Sequence, residues 1–269
     1  MTHRVAVVGH VEWVRFLQVD GAPSPGAILR SAGERLEPAG GGGAAAADLA
    51  RLAGGCLLVT ALGSDPLGQR IPAHLARHGV RVVGPTRAEA HRQAVTLLDP
   101  DGERTIVVVG PAQWATGAEV DPATFDDLDA VYFCKGDAPL LRAARRARVL
   151  VATARVLDVV RASGVRLDAL VHSASDPSER YRDGDLLVPP ALVATTDGAR
   201  GGAWRTASAA GRWDPAPLPG PRLDAYGAGD SFAAGLAWAL ASALAPPEAL
   251  ALAATRGAAA LCRVGAGTP

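Results

Sequence analysis

What most restricts the fold of this chain is an alternation. Short apolar runs, several closed by glycine, take turns with segments of helical pattern. Residues 4–8 form an apolar run ending at Gly9, the pattern of a strand buried on both faces. Residues 44–53 read as a helix, 56–62 as a strand, 67–78 as a helix stopped by Gly79, and 80–83 as another strand. In the second half, strands are expected at 130–134, 149–152, 170–172, 186–188 and 192–195, with helices at 140–146 and 157–163 between several of them. Strands separated by helices return through crossovers and therefore run parallel. The expected fold is α/β, a central mostly parallel sheet with helices on both faces.

One stretch departs from the alternation. Residues 94–98 and 104–109 are extended runs around Asp99, Pro100, Asp101 and Gly102, which predicts a β-hairpin turning at Asp101 and Gly102. With the segment from about 12 to 36 it is expected to form a small β-layer projecting from the main sheet. No repeat, charge block or Pro-rich linker divides the chain, so residues 1–269 are read as a single domain with segments of about 12–36 and 90–112 inserted.

Composition excludes several partners. Lys plus Arg equals Asp plus Glu at 27 each, which leaves no net field to draw nucleic acid or an anionic membrane. Cys56, Cys134 and Cys262 match neither a disulfide framework nor a metal-ligand spacing, and are expected as small buried hydrophobes in a reducing compartment. Glu12 and Arg15 interrupt any signal-like apolar core, and the longest apolar stretch, 232–245, is too short for a bilayer of about 30 Å. A cytoplasmic location is the expectation.

The chemistry concentrates at Asp224, Ala225, Tyr226, Gly227, Ala228, Gly229 and Asp230, directly before an apolar helical run from Phe232. Amide N–H groups at a helix start lack internal partners, and the peptide dipoles add partial positive charge there. Small residues at 227–229 let a phosphate approach the main chain. Asp230 at its mouth could take a proton from an attacking hydroxyl while the amides hold a transferring phosphoryl group. The same string also suits a tight turn with Asp230 as helix N-cap.

The segment resembles the C-terminal signature of the ribokinase-like sugar kinases, the PfkB family, in which an Asp-Thr-x-Gly-Ala-Gly-Asp pattern carries the catalytic base and anion hole. Ala225 stands where that pattern has Thr. Further segments are similar to the family in the same order. Gly40 to Gly43 lead into an alanine-rich helix at the family's sugar site, with Gly41, Gly42 and Gly43 as substrate-binding candidates and Ala44 to Ala47 where an Asn is usual. Such a glycine run also suits a plain flexible loop. Gly63, Asp65 and Gly68 match a Gly-x-Asp-x-x-Gly segment in which Asp65 is read as a helix N-cap. Thr196, Gly198 and Gly201 match the turn at the nucleotide, and Ala254, in a small-residue helix over 253–260, falls at the adenine wall.

The resemblance implies a ribokinase-like fold whose β-layer is a lid over the substrate and, in some members, a homodimer surface. It implies ATP and Mg²⁺ as cofactors, and allows a monovalent cation such as K⁺ near Asp224. The family's Asn-x-x-Glu metal motif is altered: Ser173 and Asp176 occupy its positions, with Glu179 as a second candidate ligand. Glu12 is the candidate for binding sugar hydroxyls, and His10 is the one histidine expected to face the site. The activity implied is ATP-dependent phosphorylation of a hydroxymethyl group on a small sugar or nucleoside-like alcohol, with Asp230 as general base. The rival reading is a catalytically weak or inactive sugar- or nucleotide-binding regulatory member, motivated by the missing Asn residues. A dinucleotide-dependent oxidoreductase is disfavoured, because no Gly-x-Gly-x-x-Gly opens the first helix.

Overall fold

The computed structural model describes residues 3–21, 23–101 and 103–265. Chain order gives β1 (Val5–Val8), β2 (Glu12–Val19), β3 (Ser31–Ala39), α1 (Gly40–Ala53), β4 (Cys56–Val59), β5 (Leu62–Gly63), α2 (Pro66–Ala76), β6 (Val80–Val83), β7 (Thr86–Arg87), β8 (Gln93–Leu98) and β9 (Arg104–Val109). The second half follows with β10 (Ala130–Phe133), α3 (Ala138–Ala144), β11 (Val149–Thr153), α4 (Leu157–Ser163), β12 (Ala169–Ser173), β13 (Leu192–Thr196), β14 (Gly202–Arg205), β15 (Ala210–Trp213), α5 (Ala228–Ala241) and α6 (Pro246–Leu261).

The main sheet has the order β15-β14-β13-β12-β11-β10-β1-β4-β6. The seven strands from β13 to β6 pair in parallel, and β14 and β15 add an antiparallel edge. Strands β1, β10 and β11 are buried along their whole length because helices cover both faces. On one face the core joins Leu49, Ile71, Leu75, Phe232, Leu236 and Leu250 from α1, α2, α5 and α6. On the other it joins Leu140, Leu141 and Val160 from α3 and α4. All strands of the parallel set end on the same edge, where an α/β sheet places its site.

The β-layer is a second sheet in the order β3-β2-β8-β9. It is mixed: β2 pairs antiparallel with β3 but parallel with β8, and β8 and β9 form the expected hairpin. Asp99 N donates to Glu103 O at 3.1 Å at the neck of that hairpin. The predicted Asp101–Gly102 turn involves Gly102, which lies outside the described residues.

Several expectations need correction. Residues 186–188 form no strand: Gly184 turns the chain before them, Pro189 and Pro190 lack N–H donors after them, and Leu187 is 99% exposed. The glycine run is not a loop ahead of α1 but its first turn, since the helix starts at Gly40. Strands β14 and β15 went unpredicted. Cys56 and Cys134 are buried as expected, whereas Cys262 is half-buried. No helix among the described residues is long and apolar enough to cross a membrane.

Candidate active site

The site forms where β1 and β10 end against the first turns of α1 and α5. After β1 the chain passes Gly9 and His10, and Gly42 N donates to His10 O at 3.0 Å. A methyl group at Gly42 would lie 2.7 Å from that oxygen, so only glycine lets α1 seat this closely on the sheet. Gly41 has a different neighbour: its missing methyl would fall 3.0 Å from Asp230 Oδ2. Gly43 faces Val11. Of the three glycines only Gly41 adjoins the Asp230 carboxylate; Gly42 packs on the backbone of Gly9 and His10, and Gly43 on Val11.

Helix α5 begins after Gly227, whose φ of 71° is the left-handed conformation that favours glycine. Gly227 is therefore the cap residue, and Asp230 is not the N-cap but lies in the first turn. Ser231 N donates to Gly227 O at 2.8 Å, closing the first helical bond. Ala228 N reaches Ala225 O only at 3.5 Å, and the amides of Gly229 and Asp230 have no protein partner among the described residues. Nothing lies within 4 Å of where a Gly229 methyl would stand, so the approach to these amides is open.

Asp230 is half-buried, and its Oδ1 accepts from the Tyr132 hydroxyl at 2.8 Å. Loss of water around the carboxyl raises its pKa, while the Tyr132 hydrogen bond, Arg155 and Arg104 pull it back down. The Tyr226 hydroxyl serves the fold: its Oη accepts from Gly40 N at 2.7 Å. Asp224 is fully buried, with Oδ1 accepting from Tyr226 N at 2.8 Å and Oδ2 from Gly265 N at 3.0 Å. It staples the motif to the end of the described chain.

Glu12 is buried and forms an ion pair with Arg92 Nε at 2.8 Å, and His10 Nε2 lies 3.8 Å away. Burial raises its pKa and Arg92 opposes that shift. Asp65 caps α2 through Gly68 N at 3.0 Å, as expected, and the same oxygen accepts from His91 N.

Asp176 and Glu179 come together on Arg155, a residue with no distinguishing signal in the sequence. Arg155 Nη2 meets Asp176 Oδ2 at 2.7 Å and Nε meets Glu179 Oε1 at 2.5 Å. Asp176 Oδ1 accepts from Ser178 N and Oγ, so both its oxygens are engaged. Glu179 Oε2 has no partner among the described residues. Burial raises the Glu179 pKa, Arg155 opposes, and Asp176 and Asp230 add to the rise, which puts this corner in the field of Asp230. Ser173 Oγ accepts from Asp176 N at 3.2 Å and shapes the turn. Among the described residues no group of three or more His, Cys, Asp or Glu side chains is arranged to hold a metal by itself.

The nucleotide candidates lie further along the same edge. Thr196 ends β13 and donates through Oγ1 to His172 O at 3.3 Å. Asp197 N bonds to Gly201 O at 2.8 Å, so residues 197–201 make a tight turn into β14. Gly198 is open, whereas Gly201 packs against Trp213, where a methyl would lie 2.1 Å from the backbone oxygen. Ala254 is half-buried on α6, packed against the core beside α5.

A parallel sheet ending on a glycine-cushioned carboxylate beside open helix-start amides has the geometry of an α/β protein whose site suits an anion. The sequence matches the model of the pfkB family carbohydrate kinases over residues 2–169 and 186–269, and the chain belongs to that family. The interruption removes residues 170–185, which hold Ser173, Asp176 and Glu179. No curated protein matches the sequence. Solved structures resemble the whole fold. A ribokinase from Thermotoga maritima has a TM-score of 0.80 at 19% identity, covering 98% of this chain and 94% of that one. An adenosine kinase from Sinorhizobium meliloti has 0.79 at 16%, covering 100% and 96%. A putative ribokinase II from E. coli in complex with ATP and Mg²⁺ has 0.76 at 17%, covering 98% and 94%. The fold is ribokinase-like.

Proposed function

We propose that the protein is an ATP-dependent phosphotransferase that phosphorylates a hydroxymethyl group of a small sugar or nucleoside-like alcohol. The observation that carries this reading is the Asp230 carboxylate, hydrogen-bonded to Tyr132 and lying one residue from the free amide of Gly229. Asp230 would accept the proton of the attacking hydroxyl, which would sit over Gly41 and Gly42. The Gly229 amide, unpartnered among the described residues, would stabilise the oxygens of the transferring phosphoryl group, with Gly227 and Ala228 lining its approach, where catalysis is mostly positioning and electrostatics. Thr196, Gly198 and Gly201 would border the nucleotide, with Ala254 behind it, and Glu12 would meet the acceptor's hydroxyls.

The donor set near Asp230 suits Mg²⁺, a hard ion that keeps several waters and accepts oxygen ligands. Glu179 Oε2 would hold its water shell, while Asp176 braces Arg155; the ion neutralises phosphate charge when bound. Asp224 is a buried carboxylate answered by main-chain N–H groups, and a monovalent cation such as K⁺ beside it would supply the missing positive charge. The β-layer would act as a lid, supported by the ion pair of Arg222 with Glu103 at 2.6 Å across to its hairpin. The outer edge of β9 would pair with a second copy.

Replacing Asp230 with Asn keeps shape and removes the base. ADP release from ATP with a panel of sugars and nucleosides is expected to fall about 10²- to 10⁴-fold in that variant; unchanged turnover would refute the role. A second reading, a weakly active or inactive binding protein, draws on the altered segment 170–185. Ligand binding without ADP release by the wild type across the panel would favour it.

A further inference from the structure

We propose that the acceptor alcohol carries an anionic group, a carboxylate or a phosphate, and that Lys135 binds it beside His10. This rests on the kinase reading and names the substrate class of the same site. Lys135 is the only lysine among 27 basic residues. The parallel register of β1 and β10 places it: Cys134 N and Lys135 N both reach Val8 O, at 2.8 and 3.3 Å, so Lys135 emerges next to Gly9 and His10.

Neighbouring cations are answered by carboxylates. Arg92 has Glu12 at 2.8 Å, and Arg155 has Asp176 and Glu179. Lys135 has no carboxylate within ion-pair distance among the described residues. Its ammonium instead lies over the Trp114 ring, 4.7 Å from the centroid. An aromatic face orients a cation and leaves its charge to be met by another partner.

His10 reports where these charges point. Burial first, then Arg92, Lys135 and Arg155, push its pKa down to about 4, so the imidazole is neutral and all three cations act on one corner. Gly41 N lies 3.4 Å from Nε2, an orientation that leaves the ring proton on Nδ1, which is buried without a partner. Gly41 in turn adjoins Asp230. The Cys134 thiol packs against Gly9, 2.5 Å from where a methyl would stand, and Gly9 contacts Gly42, so the strand end that carries Lys135 abuts the first turn of α1, where Gly41 meets Asp230. An acceptor with a hydroxyl at Asp230 and an anion at Lys135 satisfies both ends.

The test measures ADP release with D-fructose, D-ribose, adenosine, D-gluconate and D-fructose 6-phosphate for the wild type, Lys135→Met and Lys135→Arg. Expected is a preference for gluconate or fructose 6-phosphate over fructose, the two arms separating carboxylate from phosphate. In Lys135→Met the ratio of acidic to neutral kcat/KM should drop about 10- to 100-fold, as for loss of a charge-assisted hydrogen bond, and Lys135→Arg should retain most of it. A preference for neutral acceptors, or an unaltered ratio in Lys135→Met, overturns the proposal. If no acceptor is turned over, the kinase reading fails, and calorimetry decides this inference: gluconate or fructose 6-phosphate binding lost in Lys135→Met supports it, and absent or equal binding overturns it.

Discussion

Asp230 is held in a state that its surroundings oppose. Removing water around the carboxyl raises its pKa above the unfolded value, and the Tyr132 hydrogen bond and the Arg155 and Arg104 charges restore only part of the loss. A carboxyl whose folded pKa is raised stabilises the fold fully below its unfolded pKa, and that contribution disappears as pH rises through the folded pKa. At neutral pH the wild type therefore bears the cost of a desolvated anion that an Asn does not bear. Asp230→Asn is expected to melt at or above the wild-type Tm at pH 7, with the advantage shrinking as pH falls to 4 and Asp230 protonates. Thermal melts across that range check this; a lower Tm for the variant at pH 7 would mean that Tyr132 and Arg155 outweigh burial. Asp230 was legible because glycine, alanine and aspartate crowd together before an apolar run. Arg155 was not, because one arginine among many carries no local pattern, and its role arises only where the end of β11 meets the turn over Pro177–Glu179.

At the scale of elements, two helix starts made of glycine do different work. In α1, a methyl at Gly42 would meet His10 O at 2.7 Å and the Gly9 backbone at 2.9 Å, atoms that cannot rotate away. In α5, a methyl at Gly229 meets nothing within 4 Å, so glycine there serves access to the amides and not packing. Gly42→Ala should cost about 1–3 kcal/mol through overpacking and lower Tm by several degrees. Gly229→Ala should hold or raise Tm, because alanine narrows the unfolded ensemble, yet reduce ADP release by crowding the phosphoryl position. Paired melts and turnover assays check both; a Gly42→Ala protein with wild-type Tm would sink the packing argument. The sequence made both glycine runs visible but not this division, since spacing alone cannot say which backbone lies opposite. The alternating helices and parallel strands were readable from apolar periodicity. Strands β14 and β15 escaped because Gly202 and Gly211 dilute the pattern and they pair only at the sheet edge. Residues 186–188 misled in the other direction, being apolar without a ladder to join.

For the whole molecule, the open question is what covers β9. All six of its residues are exposed, among them Ile106, Val107, Val108 and Val109, and among the described residues only its β8 side is paired in a ladder. A long apolar edge strand with free backbone groups is a template for another strand, and natural monomers interrupt such edges with charge or proline. Here the four apolar residues run without interruption after Arg104 and Thr105. Two copies related by a two-fold axis can lay β9 against β9 in antiparallel fashion, which uses the same patch on both partners and closes the assembly at two. The joined β-layers would then form one continuous surface over both sites, and Arg104, which acts electrostatically on Asp230 from the start of β9, would be held in place by the contact. A single charge in the seam is repeated by symmetry, so Val107→Lys places two ammonium groups near each other in an apolar strand pair. Light scattering after size exclusion is expected to give a dimer for the wild type and a monomer for Val107→Lys. A wild type that stays monomeric at tens of micromolar, or a variant that dimerises equally well, would remove the edge of β9 from any role in assembly.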